Sequence, residues 1–433
     1  MSDKYTVFYK KNKAVSVDFN AKEISSEGGL FLIDKFERKH KLISHFSKFI
    51  KDERHQSYTK HSIDNLLKQR ILLLMQGYED ANDIDKLKDD PILNETLDNR
   101  SGSQPTMSRF ENAVDKHQIF RILDAWIDRY AANIGNRKKI IIDADATDAE
   151  TFGKQQLSLF NGFYSHTMYN ELFFHDGETG EIIMPVLRPG NAHSNWWYVS
   201  ILKRIVKKIR LQYPDIEIVF RADSGFSTPV FYNFARDYLL KFTVGIAANN
   251  VLKKKTGLIE RCVSYSYVSK GIRKQIFTEP FYYEAGTWDN PEKCYAKVES
   301  TGKGLNVRYF ISNFEKETGS EIYKNFYVKR GDRSENRIKE VKSMCFSNRL
   351  SNHNFWANFF RLIMSSIAYE MFRLIKLDIN KTNFKKAKKW QINNIRLFLL
   401  KVAGTIKKTK RRITVSLSES FVYKDLYMQL IRL

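Results

Sequence analysis

Four carboxylates stand where chemistry is possible. Asp143 and Asp145 follow the apolar run of KKIIIDADATDAE (138–150), Asp223 ends a second apolar run in DIEIVFRADSG (215–225), and Glu335 opens a helical stretch in SENRIKEVK (334–342). Acidic residues are poor strand formers and costly to bury unpaired, so such a run is either a solvated strand end or a place that holds a cation. Asp143 and Asp145 are two apart on a strand, so both side chains leave one face. Three acids drawn from two strand ends and a helix start can converge on one point. Hard oxygen ligands of this kind suit Mg²⁺, with Mn²⁺ as a substitute, and not zinc. Two such ions about 3.5–4 Å apart activate a water or a 3′-hydroxyl and stabilise the leaving oxygen of a phosphodiester. Taken singly, Asp148 reads as a cap or turn residue and Glu335 as a first-turn acid favoured by the helix dipole. The combination carries the chemistry.

The remaining composition narrows the partner. The 433-residue chain has 72 Lys and Arg against 49 Asp and Glu, a formal charge of +23, which implies a polyanion such as nucleic acid; a Lys-rich composition alone is the competing explanation. The basic stretches KKAKKW (385–390) and KKTKRR (407–412) are expected to track phosphates, with binding that falls steeply as salt rises. Hydrophobic residues at 42% and aromatics at 14% exclude a disordered chain. No run of roughly 18 apolar residues suggests a membrane span, and the N-terminus lacks a secretory core. Cys262, Cys294 and Cys345 show neither ligand nor disulfide spacing, so a reducing, cytoplasmic interior is expected. None of the nine histidines has ligand spacing.

The elements that would position the acids follow from periodicity. Residues 1–135 read as a helical region, with helices near 40–52, 61–76, 80–87 and 110–132, suited to a helix-turn-helix-like DNA module or a plain bundle. From 136 to 250 three strands are followed by helix, strand, helix, strand. That is the order of a ribonuclease-H-like α/β core, in which the first and fourth strands lie side by side. Residues 251–326 alternate aromatic and polar residues and read as a β-rich insertion. Residues 327–376 return to the core with the helix bearing Glu335, and 377–433 form a basic helical C-terminal region. Trp196 and Trp197, at a helix start, read as core.

The segments SQPTMSRFEN (103–112), DADATDAETFGKQQ (143–156), LRPGNAHS (187–194), RADSGF (221–226) and YVKRGDRSENRIKEVK (327–342) together resemble the DDE transposases of bacterial insertion sequences. Within these the likeness is to the thirteen-eighty group, in the branch with a tyrosine–arginine–glutamate–lysine signature. The resemblance implies catalytic, metal-holding roles for Asp145, Asp223 and Glu335. Asp145 is favoured because Thr147 follows it as the family's Thr does, and Asp143 is the competing or assisting ligand. Tyr327, Arg330 and Lys342 match the signature's other members. Gly331 to Ser334 put four residues between Arg330 and Glu335 where the family has three, so Arg333 is an alternative arginine. Lys339 lies i+4 from Glu335 on nearly the same helix face as Lys342. Trp288 is the counterpart of a tryptophan that stacks on a flipped base in related enzymes. The resemblance further implies two Mg²⁺ ions per site, terminal inverted repeats and target DNA as partners, a homodimer in the DNA complex, and a bacterial, nucleoid-associated location. A ribonuclease-H-like nuclease or resolvase, and a decayed DNA-binding copy, are the rival functions.

Overall fold

The structure is a computed structural model that describes residues 5–11, 13–21, 23–331 and 336–433. It divides into two compact units, one of residues 1–47, 52–108 and 374–433, the other of residues 48–51 and 109–373.

The second unit is built on a ten-stranded mixed sheet. Its strands are β1 (Lys139–Glu150), β2 (Leu159–Asn161), β3 (His166–Asp176), β4 (Ile182–Arg188), β5 (Glu217–Ala222), β6 (Lys241–Ile246), β7 (Gln275–Phe277), β8 (Phe281–Tyr283), β9 (Glu292–Thr301) and β10 (Gly304–Ser312). β1 pairs antiparallel with β3, and β3 with β4. On its other side β1 pairs parallel with β5, and β5 parallel with β6. Parallel central strands are buried on both faces, hence the continuous runs IIID and IVFRA instead of alternation.

Helices cover this sheet. α1 (Lys116–Asn133) starts at Asp115, whose side chain accepts from the Gln118 N–H. It buries Ile119, Ile122, Leu123, Trp126, Ile127 and Tyr130, one apolar stripe. The Trp126 indole donates to the Ile182 carbonyl at 2.7 Å, and the Tyr130 hydroxyl to Asp176 at 2.5 Å. The single helix expected near 110–132 is therefore two, Gln104–Ala113 and α1, separated by the Asp115 cap. α2 (Tyr198–Gln212) and α3 (Pro229–Asp237) supply the crossovers between parallel strands.

The stretch expected to be a β-rich insertion differs in two ways. It opens with a 21-residue helix, α4 (Asn250–Lys270), capped by Asn249 at one end and by Gly271 in the left-handed conformation at the other. Its strands then join the main sheet, since β10 pairs with β6 from Tyr309↔Ile246 to Ser312↔Thr243. The aromatic alternation of SYSYVSKG was read as strand, but those residues form the last turns of α4.

In the first unit, helices Leu30–His40, Ile63–Gln76 and Lys424–Arg432 accompany a three-stranded sheet of Ile24–Ser25, Gly404–Lys408 and Ile413–Leu417. The N–H groups of Gly28 and Gly29 donate to the carbonyls of Val402 and Leu400. A Cβ on Gly29 would lie 2.3 Å from the Leu400 Cα, so only glycine permits this approach. Thus residues before 108 and after 374 form one unit, where the sequence suggested separate N- and C-terminal regions, and 109–135 group with the sheet. KKAKKW ends in a short helical turn with Trp390 buried against Phe398 and Tyr423. KKTKRR forms the exposed tip of the Gly404–Leu417 hairpin.

Candidate active site

The parallel register sets Asp143 opposite Arg221. β5 stops at Ala222, so β1 runs on past its neighbour, and Asp145 emerges beside the turn that Asp223 begins. Asp223 caps that turn by accepting the Gly225 N–H at 2.8 Å. The strands ending in the first and second acids therefore lie side by side.

The two aspartates of β1 have different surroundings. Both oxygens of Asp143 accept from Arg221, Oδ1 from Nε at 2.7 Å and Oδ2 from Nη2 at 2.8 Å. The remaining Arg221 nitrogen donates to the Phe326 carbonyl at 2.7 Å, and the pair is 1% and 2% exposed. Asp143, weighed as a metal ligand, is thus engaged in a buried bidentate ion pair. Asp145 is 15% exposed and meets the Arg330 guanidinium at 3.1 Å. Burial opposes the charge on Arg330, but Asp145, Tyr327, Asp223 and Asp143 outweigh it and hold the guanidinium above its ordinary range. One cation thus lies in the field of all three aspartates.

Tyr327 sits beside them. A Cβ on Gly245 would lie 2.7 Å from the Tyr327 hydroxyl and 3.0 Å from the Ser224 nitrogen, so Gly245 admits the phenol next to the Asp223 turn. Its ring stacks on Phe310 at 6.0 Å. Burial raises its pKa above the ordinary value, making the phenol a weaker acid. The helical turns at Ile322–Tyr327 and Glu340–Met344 are widened, closing i to i+5 hydrogen bonds, a local expansion frequent at functional sites.

Lys342, from the second widened turn, donates to Asp148 Oδ1 at 2.7 Å and approaches Thr147 at 3.4 Å. Burial opposes ionisation of Asp148, but Lys342 and His166 hold its carboxyl below its ordinary range. Asp148 is therefore an ion-pair partner and not the cap the sequence suggested. Beneath it Glu171, opposite Thr147 in the sheet, is fully buried and pushed up to about 8 by burial. Ser347 donates to Glu171 Oε2 at 2.9 Å, while Oε1 has no hydrogen-bond partner among the described residues.

Other sequence-selected residues fall elsewhere or outside. Glu335 and Arg333 lie outside the described residues. Lys339 is exposed. Trp288 is half-buried, its ring 4.9 Å from Tyr232 and tilted to it, and 5.3 Å from Tyr283 in an edge contact. Trp196 and Trp197 are exposed and not core. Arg188, wholly buried, donates to the carbonyls of His193, Ser194 and Trp196 and so holds that loop's backbone.

Sequence reasoning missed Tyr164. Burial, then the charges of Asp148, Asp145 and Asp223, push its phenol up to about 12. Buried Asn161 fixes it by accepting the Phe163 and Tyr164 N–H groups at 3.0 and 3.3 Å. The Asn161–Gly162 pair is a turn signal, but nothing in the sequence says which site the turn faces.

Among the described residues no three His, Cys, Asp or Glu side chains are grouped to hold a metal ion. Asp145 and Asp223 are hard oxygen donors of the kind that suit a divalent cation. Among the described residues no helix is long and apolar enough to cross a membrane.

A family model described as Transposase DDE domain group 1 matches residues 8–433. Among solved structures, the cryo-EM structure of the piggyBac transposase synaptic complex with hairpin DNA is similar at 13% identity. That match covers 86% of this chain and 80% of that one, with a TM-score of 0.45. No curated protein matches the chain.

Proposed function

The chain belongs to the family of transposases with a DDE domain of group 1, and from that membership we propose a cut-and-paste DNA transposase of the insertion-sequence branch bearing the tyrosine–arginine–glutamate–lysine signature, the thirteen-eighty group. In this reading it binds the terminal inverted repeats of its element, cleaves them, and joins the freed 3′-hydroxyl to target DNA. Cleavage and joining share one site because both are in-line attacks at phosphorus. The working form is a homodimer holding two DNA ends, on the bacterial nucleoid. The sheet of the second unit is read as a ribonuclease-H-like core. The observation that carries the proposal is the parallel pairing of β1 with β5, which sets the strand of Asp145 beside that of Asp223 with Arg330 in contact with Asp145.

Each residue then has a task. Asp145, Asp223 and Glu335 would hold two Mg²⁺ or Mn²⁺ ions. When bound, those ions activate the attacking hydroxyl and stabilise the leaving oxygen. The Asp143–Arg221 pair fixes the strand end, because its two parallel hydrogen bonds define one geometry. Arg330 steadies Asp145 and binds a phosphate beside the scissile bond, with the Tyr327 hydroxyl next to it. Lys342, and Lys339 and Arg333 from the same region, contact the DNA backbone. Trp288 is assigned to its aromatic cluster instead of to a base.

The test uses purified protein, Mg²⁺ and duplexes taken from the DNA bordering the gene. The wild type is expected to nick the ends and transfer pre-cut ends to a plasmid. Asp223→Asn and Glu335→Gln should bind ends without nicking. A wild type that binds the ends and never nicks them is a DNA-binding protein only; one that cuts but never transfers a pre-cut end is a nuclease.

A further inference from the structure

Beyond Asp145 on the same strand, two hydrogen-bond donors and an imidazole gather around one carboxylate. Asp148 Oδ1 accepts from Lys342 Nζ at 2.7 Å and from the Thr147 hydroxyl at 3.3 Å. Its Oδ2 lies 3.2 Å from His166 Nε2, yet that buried ring nitrogen completes no hydrogen bond among the described residues. Tyr164 closes the cluster, its ring 6.0 Å from that of His166. An ammonium, a hydroxyl and an imidazole around a single anionic oxygen pair are the donor set of a phosphate as much as of a carboxylate.

This cluster is not a second copy of the Asp143–Arg221 pair. That pair is bidentate and closed, whereas Lys342 touches one oxygen of Asp148 and the two side chains are 23% and 20% exposed. Lysine is a point charge with three donors and can exchange one anion for another without changing its own geometry.

We infer that Asp148 is a positioning residue that occupies, in the DNA-free protein, the place of a backbone phosphate oxygen at Lys342. It holds the ammonium in place and lowers affinity for DNA backbone until a phosphate takes its place. The inference rests on the proposed action on DNA. It explains why a carboxylate stands three residues after Asp145 beside a lysine that is expected to meet a polyanion.

The measurement is binding of a fluorescein-labelled duplex from the DNA bordering the gene, without Mg²⁺, across a series of salt concentrations. Asp148→Asn is expected to bind about three- to tenfold more tightly at low salt, with a salt dependence steeper by about one counterion. The gain must act through the lysine, so in a Lys342→Ala background the same substitution should change affinity less than about twofold. Asp148→Ser, which cannot imitate the carboxylate's shape, should behave as Asp148→Asn does. Equal or weaker binding by both variants, or a gain that persists without Lys342, overturns the inference while leaving the transposase reading intact. Loss of folding in both variants overturns it too, because the pair would then be structural. A wild type that binds no duplex even at low salt removes the action on DNA and this inference together.

Discussion

Asp143 and Asp145 share a residue type, a strand and a face, yet they have opposite fates. The inner one lies where β5 still runs alongside, so Arg221 reaches it and both charges vanish from solvent. The outer one lies past the end of β5, where the Asp223 turn opens the sheet and Arg330 makes a looser contact. Two residues along a strand, about 6.6 Å, separate a buried bidentate ion pair from a part-exposed, single-contact one. The end of a neighbouring strand, and not the acid itself, makes one of them a candidate ligand.

The largest expected effect falls on the outer end. Asp145→Asn should lower cleavage by a thousandfold or more, about 4 kcal/mol of barrier, while a urea melt stays within about 1 kcal/mol of wild type. An Asp145→Asn protein that cuts normally would erase the contrast, most clearly if Asp143→Asn did not cut. The inner end should answer in stability instead. Asp143→Asn leaves Arg221 buried and half-paired, at a cost of about 3–5 kcal/mol, visible as a lower urea midpoint. An unchanged midpoint would show that the buried pair does not hold the strand end.

A smaller effect sharpens the same contrast beneath the outer end. Burial pushes the Glu171 carboxyl up to about 8 from an ordinary 4.5. Between those values the unfolded chain releases a proton that the folded chain keeps. The stability contributed by the protonated acid is therefore full below about pH 4.5 and lost as pH rises through 8. Glu171→Gln should remove this dependence and stabilise the protein by about 2 kcal/mol or more at pH 8, read from melts at pH 5 and pH 8. His175, opposite Asp143 in the sheet, has the other sign. Burial holds it down to about 3, so its contribution is lost as pH falls from about 6.5 towards 3. Smallest is Trp288→Phe, which keeps an aromatic in its cluster. It should cost about 1 kcal/mol or less and leave end binding unchanged. A large loss of binding with normal stability would return Trp288 to the DNA.

Much of the fold was legible because it is local. The apolar runs before Asp143 and Asp223 are too continuous for a half-exposed strand, and they proved to be central parallel strands. The helix over 61–76 was visible from its stripe and is capped by Ser62 and Gly77. Where local signals conflict, the reading failed. SYSYVSKG alternates like a strand but continues a helix that Asn249 had already started, and the two tryptophans at 196–197 look like core but are exposed, beside a loop whose backbone Arg188 holds.

By itself, then, the sequence determined the basic charge, the strand-and-helix order of the core, and the short list of acids, since each depends on residues close together in the chain. Only the tertiary structure decided which acid is closed by Arg221, which is left beside Asp223, what Asp148 holds, and that residues before 108 and after 374 form one unit. Those outcomes depend on partners far apart in the chain, as Arg221 is from Asp143 and Lys342 from Asp148. No periodicity within a segment records what will lie opposite it.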